Sequence, residues 1–181
     1  MASATPTLSL ADCFAHALTV EREAVQRYNE FADHFEDQGN EAAADLMRKL
    51  ARFESEHASA LSRKAPDIPL PSLNATTHSW LDDGPPESVS HELIFHFMTP
   101  HDALEIALRA EQRAKAFFEQ VEANAADPEV RRLAREMAGE ERALIRFIED
   151  ALPGAPRRFT YEEDDFRDFL YPLRPANVLP A

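Results

Sequence analysis

Cysteine occurs once, at Cys13, so the chain can form no internal disulfide. Glycine is scarce, with four in 181 residues, and no alternating apolar pattern of useful length occurs. Both features argue against a sheet. No stretch approaches the apolar run that a membrane helix needs. The first residues, Met-Ala-Ser-Ala-Thr-Pro-Thr, carry no basic region and no apolar run of signal length. Positive charge is short: 19 Lys and Arg face 33 Asp and Glu, a formal net charge of −14. That balance argues against nucleic-acid binding, which needs basic patches. These absences leave one all-helical domain, large enough to bury a core and expected in the cytoplasm.

What is present is helical periodicity. Residues on one face of a helix recur at spacings of three, four and seven. Four stretches keep that register. The first runs Leu10, Phe14, Ala17, Leu18, Glu21, Ala24, Val25, Tyr28, Phe31, Phe35. The second runs Leu46, Leu50, Phe53, Glu54, His57, Leu61. The third runs Leu104, Ala107, Leu108, Glu111, Ala114, Phe118, Val121, and the fourth Val130, Leu133, Met137, Glu141, Leu144, Ile145, Ile148. The boundary signals agree. Thr99-Pro100-His101-Asp102 offers an N-cap, a proline at the first helical position and an acid at N3, and Asp127-Pro128-Glu129 offers a similar device. Gly39-Asn40 ends one helix and starts the next, while Pro66 and Pro153 stop the second and fourth. Helices are therefore expected over roughly 8–37, 40–64, 100–124 and 128–151. The short connections make each pair an antiparallel hairpin.

Each stripe is broken by a glutamate near its middle: Glu21, Glu54, Glu111 and Glu141. A buried carboxylate is costly unless something pairs with it. Four aimed at one core suggest a metal ion. His57 lies one turn after Glu54 and makes the only Glu-x-x-His of the chain. The competing reading pairs these glutamates with arginines, or shifts the register by one so that Glu140 replaces Glu141. Glu23, Glu56 and Glu140 fall off the stripes and are expected in solvent. So are His16 and His34, with Arg109, Arg113 and Arg142 on outer faces. Tyr28 lies two turns from Glu21 on the same face and is expected to pack in the core, with support of a metal ligand or redox chemistry as the less favoured reading. His78, His91, His96 and His101 are unevenly spaced and read as non-ligands.

The two halves repeat. Glu21, Ala24 and Tyr28 match Glu111, Ala114 and Phe118 at identical spacing. Leu50-Ala51 and Glu54 match Met137-Ala138 and Glu141. Two hairpins about a pseudo-two-fold axis would bring the four carboxylates together. The repeat has one gap, because Leu144 stands at the position equivalent to His57.

The segments Ala17–Tyr28, Leu50–His57 and Thr99–Ala114 resemble the rubrerythrin branch of the ferritin-like superfamily. The resemblance covers about 8–64 and 99–152. It implies a ferritin-like four-helix bundle over 1–152, with 65–98 as a long crossover linker and 153–181 as a proline-rich tail. The family pattern is a lone Glu from each of two helices and a Glu-x-x-His from each of the other two. By position, Glu21 and Glu111 match the lone glutamates, and Glu54 with His57 matches one complete pair. Glu141 matches the acid of the other pair, and Leu144 departs from its histidine. Leu108 and Ala114 flank Glu111 where rubrerythrins commonly carry a second glutamate one turn away. The paired Cys-x-x-Cys motifs of a rubredoxin domain do not occur in this sequence.

The resemblance implies a carboxylate-bridged di-iron centre held by Glu21, Glu54, His57, Glu111 and Glu141, with Glu54 and Glu141 as bridges. It would react with peroxide or oxygen, as a peroxidase or a ferroxidase. One site is well supplied by Glu21, Glu54 and His57. The other relies on Glu111, Glu141 and a shared Glu54, much as ferritin ferroxidase centres manage with one histidine. Zinc or manganese suits the same ligands, and a single-metal site stays open. The resemblance also implies a homodimer, and an enzyme of this kind needs a separate electron donor. The alternative is a non-catalytic metal-binding or interaction module; a third reading has the glutamates bind an organic cation. The linker run Leu93–Met98 is expected to pack on the bundle or a partner, in a short helix from about 87. The tail, with acids at Glu162–Asp165 followed by Phe166, Phe169, Leu170 and Tyr171, is expected to dock on its own bundle or on a neighbour.

Overall fold

A computed structural model describes residues 8–65, 69, 71 and 98–157. Four long helices dominate: α1 (Leu10–Asp37), α2 (Glu41–Lys64), α3 (Pro100–Asn124) and α4 (Pro128–Ala151). A single 3₁₀ turn, Leu152–Gly154, follows α4. The expected spans agree to within two residues. The described residues contain no strand. The stretch around 87, where a short helix was expected, and the tail beyond 157 lie outside the described residues.

Local chemistry sets the ends. Ser9 caps α1, and Asp12 reaches back to the Ser9 N–H in a reciprocal capping box. Thr99 and Asp102 do the same at α3, with Pro100 inside the first turn. The Asn40 side chain accepts the Ala43 N–H at the start of α2. Asp127 caps α4 by accepting the Glu129 N–H instead of forming a full box. Gly39 turns the chain between α1 and α2 at φ 68°, where a Cβ would be strained.

The packing defines the topology. α1 packs chiefly on α2, and α3 on α4; the two hairpins meet along α1, which touches both α3 and α4. The buried apolar residues form two clusters, one at each end of the bundle. One holds Cys13–Val20 residues of α1, Leu61 of α2, Ala114–Val121 residues of α3 and Val130–Ala138 residues of α4. The other holds Ala24–Phe35 residues of α1, Ala43–Ala51 residues of α2, Ala103–Ala107 residues of α3, and Leu144 and Ile148 of α4. Hence α1 and α4 run one way, and α2 and α3 the other. The last turn of α2 and the first turn of α3 lie at opposite ends. Their connection must span the bundle, a distance of about 35 Å for a helix of this length. This is the long crossover expected from the sequence.

Two glycines should respond to alanine in opposite directions. Both have open space where a Cβ would go. Gly39→Ala forces a left-handed residue and should destabilise the protein by about 1 kcal/mol. Gly139→Ala lies inside α4 and should stabilise it by roughly 0.5–1 kcal/mol. Urea unfolding of both variants checks the pair; shifts of the same sign would contradict the backbone argument.

Candidate metal centre

The glutamates at the middle of each helix face one another. Relative exposure is 1% for Glu21, 1% for Glu54, 2% for Glu111 and 2% for Glu141. They fall between the two apolar clusters: Glu21 between Val20 and Ala24, Glu54 between Ala51 and Leu61, Glu111 between Ala107 and Ala114, Glu141 between Ala138 and Leu144. The bundle therefore has a carboxylate layer across its waist, sealed above and below by hydrocarbon.

His57 reaches this layer from α2. Its Nδ1 lies 3.4 Å from Glu54 Oε2 and 3.5 Å from Glu21 Oε2. The imidazole side chain is 26% exposed, so it stands between the layer and solvent. Across the layer, the buried Tyr28 hydroxyl donates to Glu111 Oε1. Both oxygens of Glu21 and Oε1 of Glu54 are buried without a hydrogen-bond partner. Such atoms are rare in native proteins and point to a missing partner.

Burial dominates the electrostatics, and crowding of like charge adds to it. Burial, then the neighbouring Glu54, Glu111 and Glu140, push the Glu21 carboxyl up to about 12. Burial and the charge on Glu54 raise Glu111 to about 7, with Glu141 and the Tyr28 hydroxyl holding it back. Glu141 is driven well above the ordinary carboxyl range by burial and by Glu111. His57 is raised by its contact with Glu54 against the opposing effect of burial. Burial, then Glu111 and Glu54, drive the Tyr28 phenol up as well. The Glu54 charge is felt by every one of these groups, which makes it the hub of the layer.

Among the described residues no lysine or arginine salt bridge reaches the layer, and only the His57 imidazole lies within ion-pair distance of Glu21 and Glu54. Arg48 pairs with Glu36, Arg135 with Glu122, Arg142 with Glu119 and Lys64 with Glu136, all carboxylates outside it. The arginine-paired reading is therefore not the arrangement found. Four convergent carboxylates and one imidazole form a donor set for hard or borderline divalent ions. The orphaned oxygens of Glu21 and Glu54 aim into that space. The residues present thus fit a metal centre.

Several residues stand elsewhere than their register suggested. Glu140, expected in solvent, is half-buried, and its carboxylate joins Glu21 and His57 with ligand atoms all within 4.8 Å. Glu141 is buried as well, so the helix presents both, not one in place of the other. Successive helical residues differ by about 100°, which turns Glu141 to the centre and Glu140 to its flank. The adjacent Glu-Glu pair was the available signal. Tyr28 does pack in the core, yet its hydroxyl also contacts Glu111. His16 is buried against Phe117, at 5.5 Å between ring centroids, not exposed. Glu23, His34 and Arg113 are half-buried. His101 is buried, with Nδ1 3.9 Å from Glu105, away from the carboxylate layer. Leu144 packs with Leu104 and Ile148 in the apolar cluster. Hydrocarbon occupies the place a second histidine would take. His78, His91 and His96 lie outside the described residues.

The raised carboxyls make the metal-free fold sensitive to pH. Each prefers to stay protonated when folded but ionises near 4.5 when unfolded. The folded state then holds more protons, and stability falls as pH rises above 4.5. His57, raised above 6.5, contributes stability that is likewise lost as pH climbs through its folded value. Both signs agree between pH 5 and 8. The slope is about 1.4 kcal/mol per pH unit for each extra proton held. The Tm of metal-free protein should therefore fall across this range, and Glu111→Gln should flatten the fall below pH 7. A metal-free Tm that rises from pH 5 to 8 would show that these groups are not crowded as described.

Comparison with known proteins agrees with this geometry. The rubrerythrin family profile matches residues 12–70, which carry Glu21, Glu54 and His57. The crystal structure of an uncharacterized conserved protein from Magnetospirillum magnetotacticum MS-1 is 32% identical, with a TM-score of 0.73. That match covers 85% of this chain and 100% of the other. Among curated proteins there is no match. On its fold, its carboxylate layer and these likenesses, the chain belongs to the rubrerythrin branch of the ferritin-like superfamily.

Proposed function

We propose that this protein binds two iron ions between its hairpins and reacts with peroxide or oxygen, as a peroxidase or ferroxidase. The observation that carries this reading is the layer of four buried carboxylates with orphaned oxygens and a single imidazole. When bound, iron supplies a redox couple that no side chain here offers.

The chain's own residues divide the work. Glu21, Glu54 and His57 would hold one ion; Glu111 and Glu141 would hold the other. Glu54, whose charge reaches all the others, suits a bridge, and Glu141 suits the second. His57 brings Nδ1 to the layer as a neutral donor. The Tyr28 hydroxyl orients Glu111 from outside the ligand set, as partners of metal ligands commonly do. Leu144 and the flanking apolar clusters keep water from the second position. The single cysteine leaves no second redox centre in this sequence, so electrons would come from a separate donor. We further propose a homodimer in the cytoplasm. Leu144 favours one specific rival, a module that holds a single ion and does not turn over.

Loading metal-free protein with ferrous ion under nitrogen separates these readings. About two irons per chain and an optical change on adding peroxide or oxygen support the enzyme. About one ion with no change supports the module. Glu54→Ala should lose both ions, because it removes the shared ligand. No bound metal, with stability unaltered in Glu54→Ala and His57→Ala, would remove the metal reading.

A further inference from the structure

Glu140 stands out because nothing in the five-residue ligand set requires it. It lies on α4, next to Glu141, and is half-buried. Its carboxylate, a Glu21 oxygen and a His57 ring nitrogen lie within 4.8 Å of one another, drawn from three different helices. Glu21 contributes two oxygens that are buried and unpartnered. Lys64 is the nearby cation, but it is engaged by Glu136 at 2.6 Å. Glu140 is therefore held beside two candidate ligands, with no ion pair of its own among the described residues. Burial raises the cost of its charge, and the facing His57 imidazole and Lys64 offset only part of that cost.

We propose that Glu140 is a sixth metal ligand, closing the first ion position from the solvent side together with Glu21 and His57. This rests on the metal reading above. It gives the first position Glu21, His57 and Glu140 from α1, α2 and α4, besides the shared Glu54. The asymmetry of the centre then deepens. The second hairpin lacks a histidine at Leu144, yet it sends an extra carboxylate to the ion of the first hairpin. Glu140 and His57 are also the partly exposed members of the set, so an arriving ion meets them before Glu21 and Glu54.

Cobalt(II) titration of metal-free protein tests this, followed by absorption and calorimetry. Wild type should bind two ions. Glu140→Gln should weaken one of them by roughly 10–100-fold or more, the range seen when groups supporting a metal ligand are lost. Glu149→Gln, an exposed change on the same helix, should bind as wild type does. The metal-free Tm of Glu140→Gln should equal or exceed that of wild type, because one crowded charge is gone. A lowered metal-free Tm with unchanged cobalt affinity would assign Glu140 a structural role and overturn the proposal. Unchanged Tm and affinities within twofold of wild type would overturn it too, leaving the five-ligand centre standing. Absence of cobalt binding by wild type itself would overturn both.

Discussion

Four carboxylates share a space that water barely reaches, and the rest of the structure is arranged around that fact. Isolated buried charge costs several kcal/mol per ion even after relaxation. Here burial, with mutual repulsion added to it, pushes Glu21, Glu111 and Glu141 all upward. The fold tolerates the layer because two apolar clusters, one at each end, supply the burial that holds four helices together. The waist can then be spent on chemistry. Protonation relieves the repulsion at low pH, and divalent cations can relieve it at neutral pH.

The pseudo-symmetry is real in the backbone and broken in the side chains. Each hairpin contributes a lone glutamate from its first helix and a later one from its second. At the fourth helix the pattern diverges twice: Leu144 joins the apolar cluster, and Glu140 turns toward Glu21 and His57 of the opposite hairpin. The two sides of the layer are thus built unequally. The donor nitrogen and the solvent-facing groups all lie on one side. Tyr28 supports the other side by its bond to Glu111.

Much of this was legible in the sequence. Glycine and proline at the helix ends, Thr99 and Asp102 at a capping box, and a sustained 3.6-residue periodicity determine four helices almost to the residue. The inward glutamates were visible because each interrupts an apolar stripe, and all four lie in the layer. The crossover follows from hairpin pairing and is shown by which ends share an apolar cluster. Glu140 was legible only as an alternative to Glu141, through the adjacent Glu-Glu pair. It lies one position off its stripe, and that both acids face inward depends on how α4 rotates against α1 and α2, a tertiary fact. The Tyr28–Glu111 bond was hidden for a related reason. A tyrosine on an apolar face packs its ring in either case, and only the partner helix decides where the hydroxyl ends. His16 was misplaced because a residue beside the stripe becomes buried where Phe117 of another helix covers it.

We propose that the carboxylate layer holds two metal ions. Anomalous diffraction from crystals grown from metal-free protein and soaked in manganese(II) or iron(II) tests it most directly. The account predicts two anomalous peaks among Glu21, Glu54, His57, Glu111 and Glu141, separated by roughly 3.5–4 Å. A layer free of anomalous density at saturating metal, its glutamates instead protonated and hydrogen-bonded to one another, would contradict it.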